Sequence, residues 1–103
     1  MSKHTPGPWS YWSGYNPYDK IEAQVTAEGG DIVIASYNHL IEQGEANAQL
    51  MAAAPDLYTA AWTALGVLTG IRDGAMSRNN REAMVDEAIE ELEKAIAKAR
   101  SDI

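Results

Sequence analysis

No cysteine occurs in the 103 residues, which excludes disulfide staples and thiolate metal sites and points to a reducing compartment. Basic charge is scarce: eight Lys and Arg stand against fifteen Asp and Glu, a net charge of -7. Residues 1–43 hold two lysines against five acids and residues 44–103 six basic against ten acidic side chains, so neither half is basic. Affinity for duplex nucleic acid comes largely from cations that displace counterions from phosphates, so that class of partner is excluded, while imitation of nucleic acid by an acidic face stays open. No stretch approaches the roughly 20 apolar residues of a membrane span, and the start at Met1-Ser2-Lys3-His4 has no apolar signal segment, so a chain that neither crosses a membrane nor is secreted is expected. Histidine is confined to His4 and His39, with no His-x-x-x-His spacing, so no metal and no cofactor are expected. Ser36 with His39, and Ser2 with His4 and Thr5, lack the glycine frame of a nucleophile elbow. No catalytic residue stands out, and the chain is not expected to be an enzyme.

What is there fits one α+β domain spanning 1–103, with a β-rich segment 1–43 and a helical segment 44–103. A chain this short buries only about 60–65% of its unfolded surface, so its core is thin and self-association would help it. With 46% hydrophobic residues it is too apolar to be a disordered tail. Residues 9–13 read as a short aromatic strand, and Gly14-Tyr15-Asn16-Pro17 as turn material. Ile21, Ala23, Val25 and Ala27 alternate with Glu22, Gln24, Thr26 and Glu28, the pattern of a half-exposed strand. Gly29-Gly30-Asp31 suits a tight hairpin, after which residues 31–37 predict a more buried strand. The product is a three-stranded antiparallel meander packed on two or three C-terminal helices.

From Gly44 the hydrophobic period changes from two to about 3.6. Pro55 lies inside the apolar run, where it suits the first turn of a helix, with Asp56 at the positive end of the dipole; two helices or one kinked helix follow. Leu57, Tyr58, Ala61, Trp62, Leu65, Leu68 and Ile71 form one broad face, and Asp73-Gly74 reads as the stop of this helix. Asn79 with Glu82 has the spacing of a capping box opening a last helix, whose stripe is Val85, Ala88, Ile89, Leu92, Ala95, Ile96 and Ala99. Its other face carries six acids and no base from Glu82 to Glu93, a solvated face or, alternatively, a surface for a basic partner.

His4-Thr5-Pro6-Gly7-Pro8-Trp9 and the block from Ala46 to Leu57, ANAQLMAAAPDL, resemble the small phage and prophage proteins that begin with HTPGPW. Those proteins run through a short β region, carry an NAxL(I/M)AAAP(D/E)L block and close on an Ala-rich helix, which residues 95–99 also resemble. The resemblance implies a phage protein acting in the host cytoplasm. Small phage proteins of this kind often counter host defences, which makes a nucleotide-derived immune signal or a host defence protein the expected partner.

Five of the eight aromatics, Trp9, Tyr11, Trp12, Tyr15 and Tyr18, fall within ten residues. With Ser10, Ser13 and Asn16 between them they could stack on and read a nucleotide-like ligand, or cover an undersized core and anchor a dimer. Arg72, Arg78 and Arg81 are the candidate phosphate partners. Asn47 sits in an Ala-rich helical run, where it could bond a ligand, bond carbonyls freed near Pro55, or cap the helix. Pro6-Gly7-Pro8 reads as a fixed extended entry into the first strand. The expectation is therefore a non-catalytic anti-defence protein, a homo-oligomer, that sequesters a small nucleotide-derived signal; the alternative is a phage protein that inhibits or adapts a host protein by direct contact.

Overall fold

The computed structural model describes residues 4–16 and 21–100. Three strands, β1 (Trp9–Asn16), β2 (Ile21–Ala27) and β3 (Ile32–Ser36), form one antiparallel sheet in the order β1-β2-β3. Three helices follow: α1 (Gly44–Ala52), α2 (Ala54–Arg72) and α3 (Arg78–Ala99). The chain is thus an α+β protein with the expected meander and helices.

β2 is the central strand because its small and β-branched residues tolerate neighbours on both sides. Ala23, Val25 and Ala27 are buried on one face, and Thr26 is buried on the other. The reading of β2 as half-exposed understates this, since a strand paired on both edges keeps little free surface. The turn expected at residues 14–17 is displaced: β1 runs on to Asn16, with a register shift between Trp12 and Tyr15 absorbing Ser13 and Gly14, and residues 17–20 lie outside the described residues. Between β2 and β3 a single 3-10 turn, Glu28–Gly30, carries positive φ at all three residues. β3 is an edge strand whose Ile32 and Val33 are exposed, not the more buried strand that its composition suggested. The bulge between Val25 and Thr26 inserts Ile34 as the unpaired residue of β3, and Ile34 packs against the core.

α1 lies on β1 and β2. Its buried residues, Gly44, Ala48 and Ala52, recur every four and make a flat, narrow ridge that lets backbone approach backbone. At Gly44 a Cβ would run into the carbonyl oxygen of Asn38, so a side chain there is excluded by the preceding loop. Val25, Ala48 and Ala52 form the core, closed by Trp9, Tyr11, Ile34, Tyr37 and Met51.

α1 ends and α2 begins at Ala53, which serves both as C-cap and N-cap, with Pro55 in the first turn of α2. α2 ends in a Schellman motif: Ala75 N–H bonds Gly70 O at 2.9 Å and Gly74 N–H bonds Ile71 O at 3.1 Å. α3 starts earlier than its Asn79–Glu82 spacing suggests. Ser77 is the N-cap, its hydroxyl accepting from Asn80 N–H at 3.3 Å, and Asn79 lies inside the first turn. α3 returns along α2 and reaches α1, where Gln49 Nε2 donates to the terminal carbonyls of Lys98 (3.1 Å) and Arg100 (2.6 Å). Lys98 Nζ also pairs with Asp56 at 2.6 Å. The α2–α3 hairpin projects from the sheet, so the radius of gyration is 17.4 Å, against about 13 Å for a compact chain of 100 residues.

Candidate functional site

α2 carries no charged residue from Leu57 to Ile71, fifteen positions. The seam it makes with α3 uses small side chains: Ala60 and Val67 on α2 are buried, as are Ala88 and Ala95 on α3. Small residues bring the two axes close, which excludes the large ones from between them. The broad apolar face of α2 therefore points outward. Tyr58 is 45% exposed, Trp62 59%, Leu65 55% and Leu68 64%, and only Leu57 and Ile71 of that face are half-buried. Positions 58, 62, 65 and 68 follow helical spacing and form one continuous stripe. On α3, Ile89 and Ile96 of the expected stripe are also exposed, while Val85, Leu92 and Ala99 are half-buried.

At its N-terminal end the α2 stripe meets the N-terminal arm. A Cβ at Gly7 would come within 2.8 Å of Pro55 Cβ, so the arm at Gly7 lies against the start of α2. The two sequence blocks that carry the phage resemblance thus meet at Pro55. The indole N–H of Trp9 donates to Thr5 O at 3.1 Å and holds the arm back on itself. His4 stacks edge-to-face on Tyr58, with ring centroids 5.2 Å apart, and Tyr58 stacks likewise on Trp62 at 6.2 Å. These rings, the prolines of the arm and Asp56 line an open groove of about 800 Å³.

The residues expected to bind a nucleotide are dispersed. Trp9 and Tyr11 lie partly buried against the Val25–Ala48–Ala52 core, and their free edges line a groove of about 450 Å³ with Gln49 and Lys98. Trp12 is exposed, and its carbonyl accepts from the Tyr37 hydroxyl at 2.8 Å. Tyr15 pairs through its backbone with Glu22; its side chain and Tyr18 lie outside the described residues. Asn47 is exposed on α1, three positions past its start. Arg72 pairs with its neighbour Asp73 at 3.0 Å, and Arg78 and Arg81 share a shallow groove with Glu82 and Asp86. Fourteen residues separate Tyr58 from Arg72 along α2, about 21 Å of helix. Among the described residues, the groove that Trp9 and Tyr11 line contains none of Arg72, Arg78 and Arg81.

Burial first, then the negative charge of Glu45 and the neighbouring Tyr37, hold the Tyr11 hydroxyl above its ordinary pKa. Among the described residues no group of three His, Asp or Glu side chains is placed to hold a metal ion, and no helix is long and apolar enough to cross a membrane.

The fold is that of a small α+β protein with a charge-free helical face turned to solvent. The chain belongs to the family of Salmonella phage P22 protein Y8K6, which it matches over residues 1–102. Comparison with curated proteins and with solved structures gives no match. Its setting as a phage protein, implied by the two sequence blocks, is thereby established.

Proposed function

We propose that this phage protein acts in the host cytoplasm by direct contact with a host defence protein, which it inhibits or adapts, and that the outward face of α2 is the contact. The observation that carries this is the stripe Tyr58–Trp62–Leu65–Leu68, exposed on a helix without a charge between residues 57 and 71. A helix that is apolar all round is normally covered, and exposed Trp and Tyr in an aliphatic setting are the residues that dominate interface energetics. Leu65→Asp tests it. The purified wild-type chain should bind and inhibit a host protein in a reconstituted assay, and the variant, equally folded, should not. A stable homodimer that Leu65→Asp converts to monomer in light scattering would assign the stripe to a second copy and overturn the reading.

A second reading, sequestration of a small nucleotide-derived signal, is favoured by the groove that joins Trp9 and Tyr11 to Gln49 and Lys98. There Trp9 and Tyr11 would contact a base, and Lys98 would exchange its Asp56 partner for a phosphate. Native mass spectrometry of protein purified from cells with an active nucleotide-signalling defence separates the two. An adduct of nucleotide mass that returns intact after denaturation supports sequestration, and an unliganded protein supports the protein contact.

A further inference from the structure

We propose that the groove between the N-terminal arm and α2 receives a basic side chain, arginine or lysine, from an exposed segment of the partner protein; this rests on the protein-contact reading and names what the partner must carry. Three features of the groove point the same way. Its floor is the ladder His4–Tyr58–Trp62, with Tyr58 and Trp62 about half exposed, and the face of an indole or phenol ring attracts a cation. Its described lining includes the carboxylate of Asp56, which Lys98 pairs at 2.6 Å from outside the groove, and no lysine or arginine of its own. Asp56 and Thr59 also border a smaller cleft of about 240 Å³ between α2 and α3, which holds Glu91 and Lys94.

Glu91 borders that cleft, and its Oε2 atom is buried without a hydrogen-bond partner. The nearby cations are engaged elsewhere: Lys94 pairs with Glu90 at 3.1 Å and Lys98 with Asp56 at 2.6 Å. A buried carboxylate oxygen lacking a donor is a strong acceptor for an incoming guanidinium or ammonium group. Thr59 stands one turn before Trp62, with Cβ atoms about 5–6 Å apart by helical geometry. One long basic side chain can therefore lie across the indole, its methylenes on the ring, and bring its charge toward Glu91 in the cleft. The net charge of -7 would draw such a segment in from solution. The proline-rich arm braced on Pro55 makes the outer wall rigid before the ligand arrives, which lowers the cost of ordering.

The experiment is a titration of a capped tetra-arginine peptide into the isotope-labelled full chain, followed by proton–nitrogen correlation spectra. The Trp62 indole signal and the Thr59 and Thr63 amides should shift saturably. Saturation should weaken by about fivefold in Trp62→Leu and again in Glu91→Gln, while Trp62→Tyr retains most of it. Shifts that fall on Asp86, Glu87, Glu90 and Glu93 and ignore Trp62→Leu would overturn the proposal, because they would mark non-specific attraction to the acidic face. A larger shift of Trp62 with AMP than with the peptide would overturn it as well. Host-protein capture that survives Trp62→Leu and Glu91→Gln but not Leu65→Asp would overturn the cation site alone and leave the α2 contact standing. Saturable, Trp62-dependent peptide binding in a chain that captures no host protein would support the site while removing the reading it was built on.

Discussion

The two ends of this molecule solve the same problem of a small core in opposite ways. At the sheet end the buried residues are small, Val25, Ala48 and Ala52, and the large ones, Trp9, Tyr11, Ile34 and Tyr37, close over them. In the α2–α3 hairpin the buried residues are again small, Ala60, Val67, Ala88 and Ala95, but the large ones stand outside, facing water. A sheet with a helix on it has a second layer for aromatics to lean on; a lone pair of helices has none. Tight packing at the seam therefore leaves much of the hairpin's apolar surface at Trp62, Leu65 and Leu68 exposed. That surface is available to a partner, and the sheet end is the mount that holds it.

The largest effect that would sharpen this contrast is Gly44→Ala. A methyl group there meets the Asn38 carbonyl, which belongs to the loop leading into α1, and backbone must move. A loss of about 3 kcal/mol is expected from such overpacking, a fall of roughly 15 °C in melting temperature, read by calorimetry. Trp62→Ala should do the reverse, changing stability by less than about 0.5 kcal/mol because the side chain is mainly exposed. It should nevertheless weaken host-protein binding by about 2 kcal/mol, roughly thirtyfold, measured by calorimetric titration. If Trp62→Ala instead destabilised the monomer as Gly44→Ala does, the contrast between the two ends would collapse.

Smaller effects locate the boundary between them. Ser77→Ala removes the side-chain cap of α3 and should cost about 1 kcal/mol, seen as a shift in urea midpoint without a change in slope. The least is a pH effect at the sheet end. Tyr11 holds its proton more tightly in the folded state than its ordinary value of 10.0 allows when unfolded. Its contribution is thus fully present below that value and is lost as pH rises from there through the raised folded pKa. Urea midpoints measured from about pH 8 to about pH 11 should fall more steeply in the wild type than in Tyr11→Phe. Equal slopes would mean that the aromatic cover over the core is looser than its burial indicates.

Much of the fold was legible along the chain. The alternation at residues 21–27 set β2 to its observed bounds, and Pro55 marked the first turn of α2 because a residue without an amide hydrogen fits only there. Asp73-Gly74 marked the end of α2. The site was less legible. Tyr58, Trp62, Leu65 and Leu68 were recognisable as one apolar face, but periodicity alone cannot say whether a face looks inward or outward when both sides of a helix are apolar. The absence of charge from residue 57 to 71 was the available signal that both sides are. His4 could not have been tied to Tyr58 from sequence, since 54 positions separate them.

By itself, then, the order of residues determined the local matters: where strands give way to helices, where Pro55 and Gly74 begin and end α2, and that acids outnumber bases in both halves of the chain. These depend on backbone preference, hydrogen-bond supply and charge, which act over a few residues or simply add up. Only the tertiary structure decided that alanines would take the seam and leave the tryptophan and leucines outside, and that Gly7 would rest against Pro55. Those outcomes depend on which surfaces pack closest. Closest packing is a property of pairs of elements, and no single element carries it.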